Sequence, residues 1–320
     1  MDKKDMREKN QELILCALRR LKKSSKPNLA KETGLSVVTV NAHLDALIAK
    51  GEVELVEETL SIGGRPARQY RLNSERHLAL GAYITPEGAG FKLTTFVVNL
   101  FGDVISGSED LIDTVNLEFL QNSIMPVLTN FPNISYIILG LDGEELKGIF
   151  YTPAYASLNG IALKETLSAK MERTVVLTRD IEAAIIGAAK LEGIAVNENV
   201  TVGVSWKNDS SHIGIFFNGK PYLGRDGFAG NIGKEINTND PIENAARALS
   251  LTTRVLNPNY VILYNEKLRV NDYDRIKEIV LKDIDEKFFP KVLIRPDIRE
   301  DYGEGIYTLA ASYLQINEAV

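Results

Sequence analysis

Cysteine is almost absent from this 320-residue chain, and its one instance, Cys16, excludes an internal disulfide. Histidine is nearly as scarce: His43, His77 and His212 stand far apart with no cysteine companion, which argues against a structural zinc site, and no other metal or cofactor is expected. No apolar run approaches the ~20 residues needed to span a bilayer. The charged, polar start Met1-Asp2-Lys3-Lys4-Asp5 is not that of a signal peptide. A cytoplasmic protein with no membrane partner is therefore expected. The single tryptophan, Trp206, reads as a core aromatic, stacking on a sugar face being the other use of such a ring. Cys16 reads as a core residue of an amphipathic first helix with Leu13, Ile14, Ala17, Leu18 and Leu21.

Charge is present and unevenly placed. The chain holds 37 basic and 43 acidic side chains, net −6; residues 1 to 72 hold 14 and 10, net +4, which leaves net −10 for the rest. A weakly basic head on an acidic body suits DNA contact through the head alone. A charge of +4 is modest, so a homodimer or higher homo-oligomer presenting two heads to double-stranded DNA is expected.

Residues 27 to 72 carry the most informative pattern. Asn28 to Thr33 reads as a short helix stopped at Gly34, Leu35-Ser36 as a turn, and Val37 to Lys50 as a second helix capped by Ser36. Val40, Leu44, Leu47 and Ile48 form its buried stripe, which leaves Val38, Thr39 and Ala42 on a free face, flanked by Asn41 and His43. Two strands, Val53 to Val56 and Gln69 to Leu72, flank Gly63-Gly64-Arg65-Pro66-Ala67-Arg68, a wing with a basic tip. Gly64 lets backbone approach a sugar-phosphate rail, Arg65 suits a narrow minor groove, and Arg68 and Arg71 suit flanking phosphates. The DNA-contacting set is thus Ser36, Val38, Thr39, Asn41, Ala42, His43, Gly64, Arg65, Arg68 and Arg71, with Thr39, Asn41, Ala42 and His43 as base readers. A basic hairpin on a module for protein contacts is the other reading.

From about Arg76 strands and helices alternate. Leu78 to Ile84, Phe91 to Asn99 and Val104 to Ser106 read as a meander, followed by a helix over 117 to 130, strands at 136 to 141 and 175 to 177, and an alanine-rich helix over 180 to 192 expected to pack closely on a sheet. A second meander comprises 200 to 206, 213 to 217 and 222 to 223, turned at Asn218-Gly219. Helices over 241 to 256, 275 to 287 and 304 to 314 and strands at 260 to 263 and 292 to 294 complete it. Two such copies predict two similar α/β lobes.

The wing Gly63-Gly64-Arg65-Pro66, the strand Leu80 to Ile84, the hairpin Gly214 to Lys220 and the run Gly224 to Lys234 resemble the ROK family (repressor, open reading frame, kinase), from about Glu12 to Leu314. The resemblance implies a winged helix-turn-helix (1–75) and a two-lobed actin-like, hexokinase-like (ribonuclease H-like) ATPase-type body (76–320). Lobe one is expected at about 76–178 plus a C-terminal helix at 303–320, and lobe two at about 179–302. Family kinases carry an Asp-Ile-Gly-Gly-Thr turn where this chain has Tyr83-Ile84-Thr85-Pro86-Glu87, and a Gly-Thr-Gly loop that falls near Asn208-Asp209-Ser210. Loss of those loops implies loss of ATP binding and phosphoryl transfer.

The family's sugar site maps onto Arg179-Asp180 and Gly230-Asn231-Ile232-Gly233-Lys234. Asp180 stands where kinases hold their general base, here vestigial, or serves as a helix N-terminal carboxylate. Asn231 can bond a sugar hydroxyl; Lys234 and Arg179 suit a sugar phosphate or sugar acid, or form a structural ion pair. Asn159 falls in the family's sugar-cleft loop, or is a plain turn residue. Asp142-Gly143-Glu144-Glu145 is an acidic turn or a metal site. The expectation is a transcriptional regulator, read as a repressor of carbohydrate-metabolism genes, with a catalytically inactive, sugar-sensing, dimerising body. A regulator with no small-molecule ligand, governed by a protein partner, is the alternative, followed by an active sugar kinase.

Overall fold

The computed structural model describes residues 3–56, 68–207, 210–230, 232, 236 and 238–316. The chain divides into two compact units, Met1–Ala79 with Val98–Ile105 and Ala311–Val320, and Leu80–Val97 with Ser106–Ala310.

The first unit begins with α1 (Lys3–Leu21), β1 (Lys23–Ser25), α2 (Lys26–Thr33), α3 (Val37–Ala49), β2 (Val53–Val56) and β3 (Gln69–Leu72). Ile14, Leu18, Leu29, Val40, Leu44 and Leu47 are fully buried and form its core with Val53, Tyr70 and Leu72. Gly34 ends α2 with φ 71, a left-handed turn that needs no Cβ, and Ser36 caps α3 by accepting from the Thr39 N–H at 3.1 Å. β2 and β3 pair antiparallel, Val53 opposite Leu72, as the sequence predicts; β1 adds a third strand on β3. Nothing in Lys23-Ser24-Ser25 announces a strand, because three polar residues gain their conformation only from the partner edge.

Cys16 is a correction. It is exposed, not core. Successive helical residues turn by 100°, so Ile14, Ala17 and Leu18 share a stripe, whereas Cys16 lies about 200° from Ile14 on the far side. Leu13 is likewise 39% exposed, at the stripe's edge.

The other elements are β4 (Leu78–Glu87), β5 (Gly90–Val98), β6 (Val104–Ile112), α4 (Leu117–Asn130), β7 (Ile134–Leu141), β8 (Glu144–Leu146), β9 (Ile149–Tyr151), α5 (Leu163–Met171), β10 (Thr174–Arg179) and α6 (Asp180–Glu192). They continue with β11 (Thr201–Lys207), β12 (Ser210–Phe217), β13 (Lys220–Pro221), α7 (Pro241–Leu256), β14 (Tyr260–Tyr264), α8 (Tyr273–Val280), β15 (Lys291–Arg295) and α9 (Arg299–Ile316). Two five-stranded sheets result, ordered β10-β7-β4-β5-β6 and β13-β12-β11-β14-β15. Numbered from its own first strand, each runs third, second, first, fourth, fifth. This is the duplication that the two meanders predict. The expected helix over 275 to 287 is shorter: α8 stops at Val280, and the Asp285 carboxylate accepts from the Lys287 N–H at 3.1 Å to start a separate 3-10 turn.

Glycines let helices reach these sheets. Gly203 and Gly214 face each other across β11 and β12. Added Cβ atoms there would stand 2.6 Å from Ile185. On the other sheet, a Cβ at Gly140 of β7 would strike the Tyr302 hydroxyl and come within 2.7 Å of Ile306. The helices also meet: a Cβ on Gly187 would strike the Asp301 carbonyl and lie 2.7 Å from the Gly305 nitrogen, and one on Gly305 would strike the Ala183 carbonyl. Thus α6 presents its isoleucines to a sheet, while its Ala183 and Gly187 positions meet α9 rather than the sheet the sequence led us to expect.

Candidate functional site

In the first unit the candidate surface is α3. Its free positions are Val38, 80% exposed, Val37, 48% exposed, and Ala42. The polar side chains beside them are engaged. Ser36 Oγ and Thr39 Oγ1 lie 2.8 Å apart; Asn41 accepts from Lys26 Nζ and its amide reaches Asp45 at 3.3 Å. His43 faces α1, its Nε2 3.5 Å from Asn10 Nδ2, and burial followed by the Arg7 charge lowers its pKa. His43 thus lies beside α1, at the edge of the free face of α3. Arg71 pairs with Glu54 at 2.9 Å and remains over half exposed; Arg68 is exposed. Gly64 and Arg65 lie outside the described residues.

In the second unit strand register builds a cleft. β7 and β10 are parallel with Leu141 beside Arg179, so Asp142 and Asp180 follow from neighbouring strand ends. β11, β14 and β15 are parallel with Ser205 beside Tyr264 and Tyr264 beside Arg295, which brings Trp206, Asn265 and Pro296 to the other wall. Crevices outside the carboxyl ends of strands are where open α/β sheets take ligands. This one is a cavity of about 210 Å³, also lined by Thr85, Glu266, Asp297, Arg299 and Tyr302.

Its electrostatics follow from that lining. Four carboxylates, Asp142, Asp180, Glu266 and Asp297, face it against one described cation, Arg299, whose Nε donates to Asp297 at 2.6 Å. Two buried hydroxyls have no hydrogen-bond partner, Thr85 Oγ1 and Tyr302 OH, at residues 3% and 1% exposed. Burial, then Tyr155, Asp180 and Asp142, push the Tyr302 hydroxyl far above its usual range, so it stays neutral at physiological pH. Tyr264 is satisfied: its hydroxyl donates to Asp301 at 2.9 Å, a buried carboxyl that desolvation raises above the ordinary aspartate range.

Residues 108–246 match the ROK family. Among solved structures it is similar to a ROK family transcriptional regulator that is a homologue of the E. coli MLC protein, at 15% identity and TM-score 0.60 over 98% of each chain. It is also similar to the ROK hexokinase of Thermus thermophilus, at 13% identity and TM-score 0.57 over 75% of this chain and 99% of that one. A ROK glucokinase of Streptomyces griseus, solved with glucose and AMPPNP, gives 13% identity and TM-score 0.54 over 73% and 99%. No curated protein matches by sequence. At these identities the likeness shows the fold, a mixed α/β body of the ROK sugar-kinase type.

Against the ROK pattern the cleft residues redistribute. Arg179 and Asp180 adjoin in sequence and line different cavities. Asp180 faces the acidic cleft; Arg179 lines a second cavity of about 220 Å³ with Gly143, Glu145, Phe150, Lys164 and Glu182. Arg179 is buried, its Nε and Nη2 at 2.8 and 2.7 Å from Glu182, the structural ion pair that was one of its two readings. Asn159 is exposed and its Oδ1 accepts from the Thr152 N–H at 2.6 Å, in keeping with the turn-residue alternative of its two readings. Asn231, Lys234 and Asn208-Asp209 lie outside the described residues. Asp142 belongs to the cleft, and among the described residues no cluster of His, Cys, Asp and Glu is arranged for a metal ion. Trp206 is in the core, 4% exposed, with one side on the cleft. Sequence reading missed Tyr302 and Arg299, since α9 reaches the cleft from the far end of the chain with no local motif.

Proposed function

We propose that this chain is a cytoplasmic DNA-binding transcriptional regulator, a repressor of carbohydrate-metabolism genes. Residues 1–75 form a winged helix-turn-helix, and the body, 76–320, is a catalytically inactive dimerisation and sensor unit. The observation that carries the reading is β4, which runs as regular strand through Thr85, Pro86 and Glu87. The ROK resemblance puts the first phosphate loop there. A phosphate needs converging backbone N–H groups; Pro86 has none, and the acidic lining repels an anion. Likeness to a regulator over 98% of each chain, against about three quarters of this chain for the kinases, supports a head that the kinases lack.

The same lining narrows the effector. With Arg179 neutralised by Glu182, an uncharged sugar suits the acidic cleft better than a sugar phosphate or sugar acid. Its hydroxyls can donate to Asp142 and Asp180 and meet Thr85 and Tyr302. Binding shifts the population of body conformations, and so the operator affinity of the dimer.

A thermal-shift panel of neutral sugars, sugar phosphates and ATP with magnesium tests this on the full chain, followed by operator binding with each hit. A neutral sugar that stabilises the protein and changes DNA affinity is the expected result. ATP-dependent phosphorylation of any sugar would overturn the inactive body; absence of any DNA affinity would overturn the regulator.

A further inference from the structure

We propose that α3 reads its DNA half-site through thymine methyl groups, with Val38 as the central contact. This rests on the reading of the first unit as a DNA-binding head and names the chemistry by which it selects sequence.

The second helix of such a motif enters the major groove with its N-terminal residues toward the base edges. Here those residues are apolar. Val38 is 80% exposed and Val37 48% exposed, while Val40, two positions on, is fully buried. Val38, four-fifths exposed, has no role in the core. Ala42, one turn after Val38, is also exposed. A bare apolar patch at a helix start is unfavourable in water and is accounted for when a partner covers it.

Hydrogen-bonded base readout is meanwhile poorly supplied. Ser36 and Thr39 bond each other, Asn41 is held between Lys26 and Asp45, and His43 lies against Asn10. Bidentate reading of adenine by Asn or of guanine by Arg requires free side-chain ends on this face. The described first four positions of α3, Val37-Val38-Thr39-Val40, contain neither residue. In the major groove the apolar feature available is the C5-methyl of thymine, which small aliphatic side chains contact. Charge favours DNA over a protein as the occupant: residues 1 to 72 carry net +4 on a chain of net −6, and Lys23, Lys31, Arg68 and Arg71 are exposed in the same unit.

The test is selection of bound DNA from a random library with the full-length protein. Affinity measurements at one fixed salt concentration follow, on the selected site with each thymine in turn replaced by deoxyuridine, which removes the methyl and nothing else. Burial of one methyl corresponds to about fourfold in affinity, so at least one position in each half-site should weaken by about that factor. Val38→Ser, at a position exposed enough to leave folding intact, should abolish sensitivity to deoxyuridine at that position while other positions keep theirs. A selected site bound equally well with every thymine replaced overturns this inference and leaves the DNA-binding reading standing. A chain that enriches no sequence overturns both. Unchanged affinity and selectivity in Val38→Ser also overturns it.

Discussion

The two five-stranded sheets share a strand order and differ in what their glycines admit. β11 and β12 open a space at Gly203 and Gly214 that only isoleucines fill, Ile181 and Ile185 of α6. β7 opens one at Gly140 that takes Ile306 and the hydroxyl end of Tyr302. The first is filled by apolar side-chain carbons. The second buries a polar group without a partner, at a place that lines the cleft. A buried hydroxyl left unsatisfied costs about 1–3 kcal/mol, and such a group persists where something other than stability selects it.

The largest effect should come where both halves meet. Gly187→Ala or Gly305→Ala drives a methyl into backbone of the facing helix, not into a side chain that can turn away. Overpacking of this kind costs ~3 kcal/mol or more. Denaturant unfolding should show it as a fall in midpoint with little change in slope. A loss below ~1 kcal/mol would mean that α6 and α9 do not cross in backbone contact.

The next effect separates the halves. Gly203→Ala and Gly140→Ala should each destabilise by ~1–3 kcal/mol. Tyr302→Phe should relieve Gly140→Ala, since the hydroxyl is the atom nearest the added methyl, and should leave Gly203→Ala untouched. Alone, Tyr302→Phe should be neutral or stabilising, because it removes an unsatisfied buried group. A double-mutant cycle by thermal unfolding reads both couplings. Equal relief of the two glycine variants would erase the distinction between the sheets.

Much of this duplication was legible in the sequence because meanders and amphipathic helices write it locally. The bounds of α4, α6 and α7 agree with the pattern, and Asn218-Gly219 turns the second meander with φ 50 and 73, as an Asn-Gly hairpin requires. The β8–β9 hairpin escaped because Lys147-Gly148 makes the same kind of turn, φ 53 and 82, without its signature. The cleft was legible only in part. Asp142 stood out in an acidic turn near a strand end and Asp180 through the family resemblance at a helix start, but whether a side chain turns into a cleft or away depends on register and on helices distant in sequence. Arg179 shows this: adjacency to Asp180 implied a shared site, and the Glu182 carboxylate three residues on, a pairing visible at helical spacing, takes its charge elsewhere. Resemblance to a family supplied positions, and charge partners in three dimensions decided roles.

The smallest effect lies in the head, which has no share in the duplication and serves as its control. Glu52, between α3 and β2, has its carboxylate 3.1 and 3.2 Å from His77 Nε2 and 3.7 Å from Arg76. The hydrogen bond from His77, against an opposing effect of burial and with help from the charges of His77, Arg76 and Lys50, holds its pKa below the ordinary 4.5. A depressed folded-state pKa means stability that is present above the ordinary value and lost as pH falls through the lowered one. Glu52→Gln should therefore cost ~1 kcal/mol at neutral pH, a difference that shrinks as pH falls through the lowered carboxylate pKa of the folded protein. Unfolding of the wild type and the variant across that range decides it. A pH-independent difference would show that Glu52 acts through packing rather than charge. The same titration of Gly140→Ala should show no such dependence, since its penalty is steric at every pH.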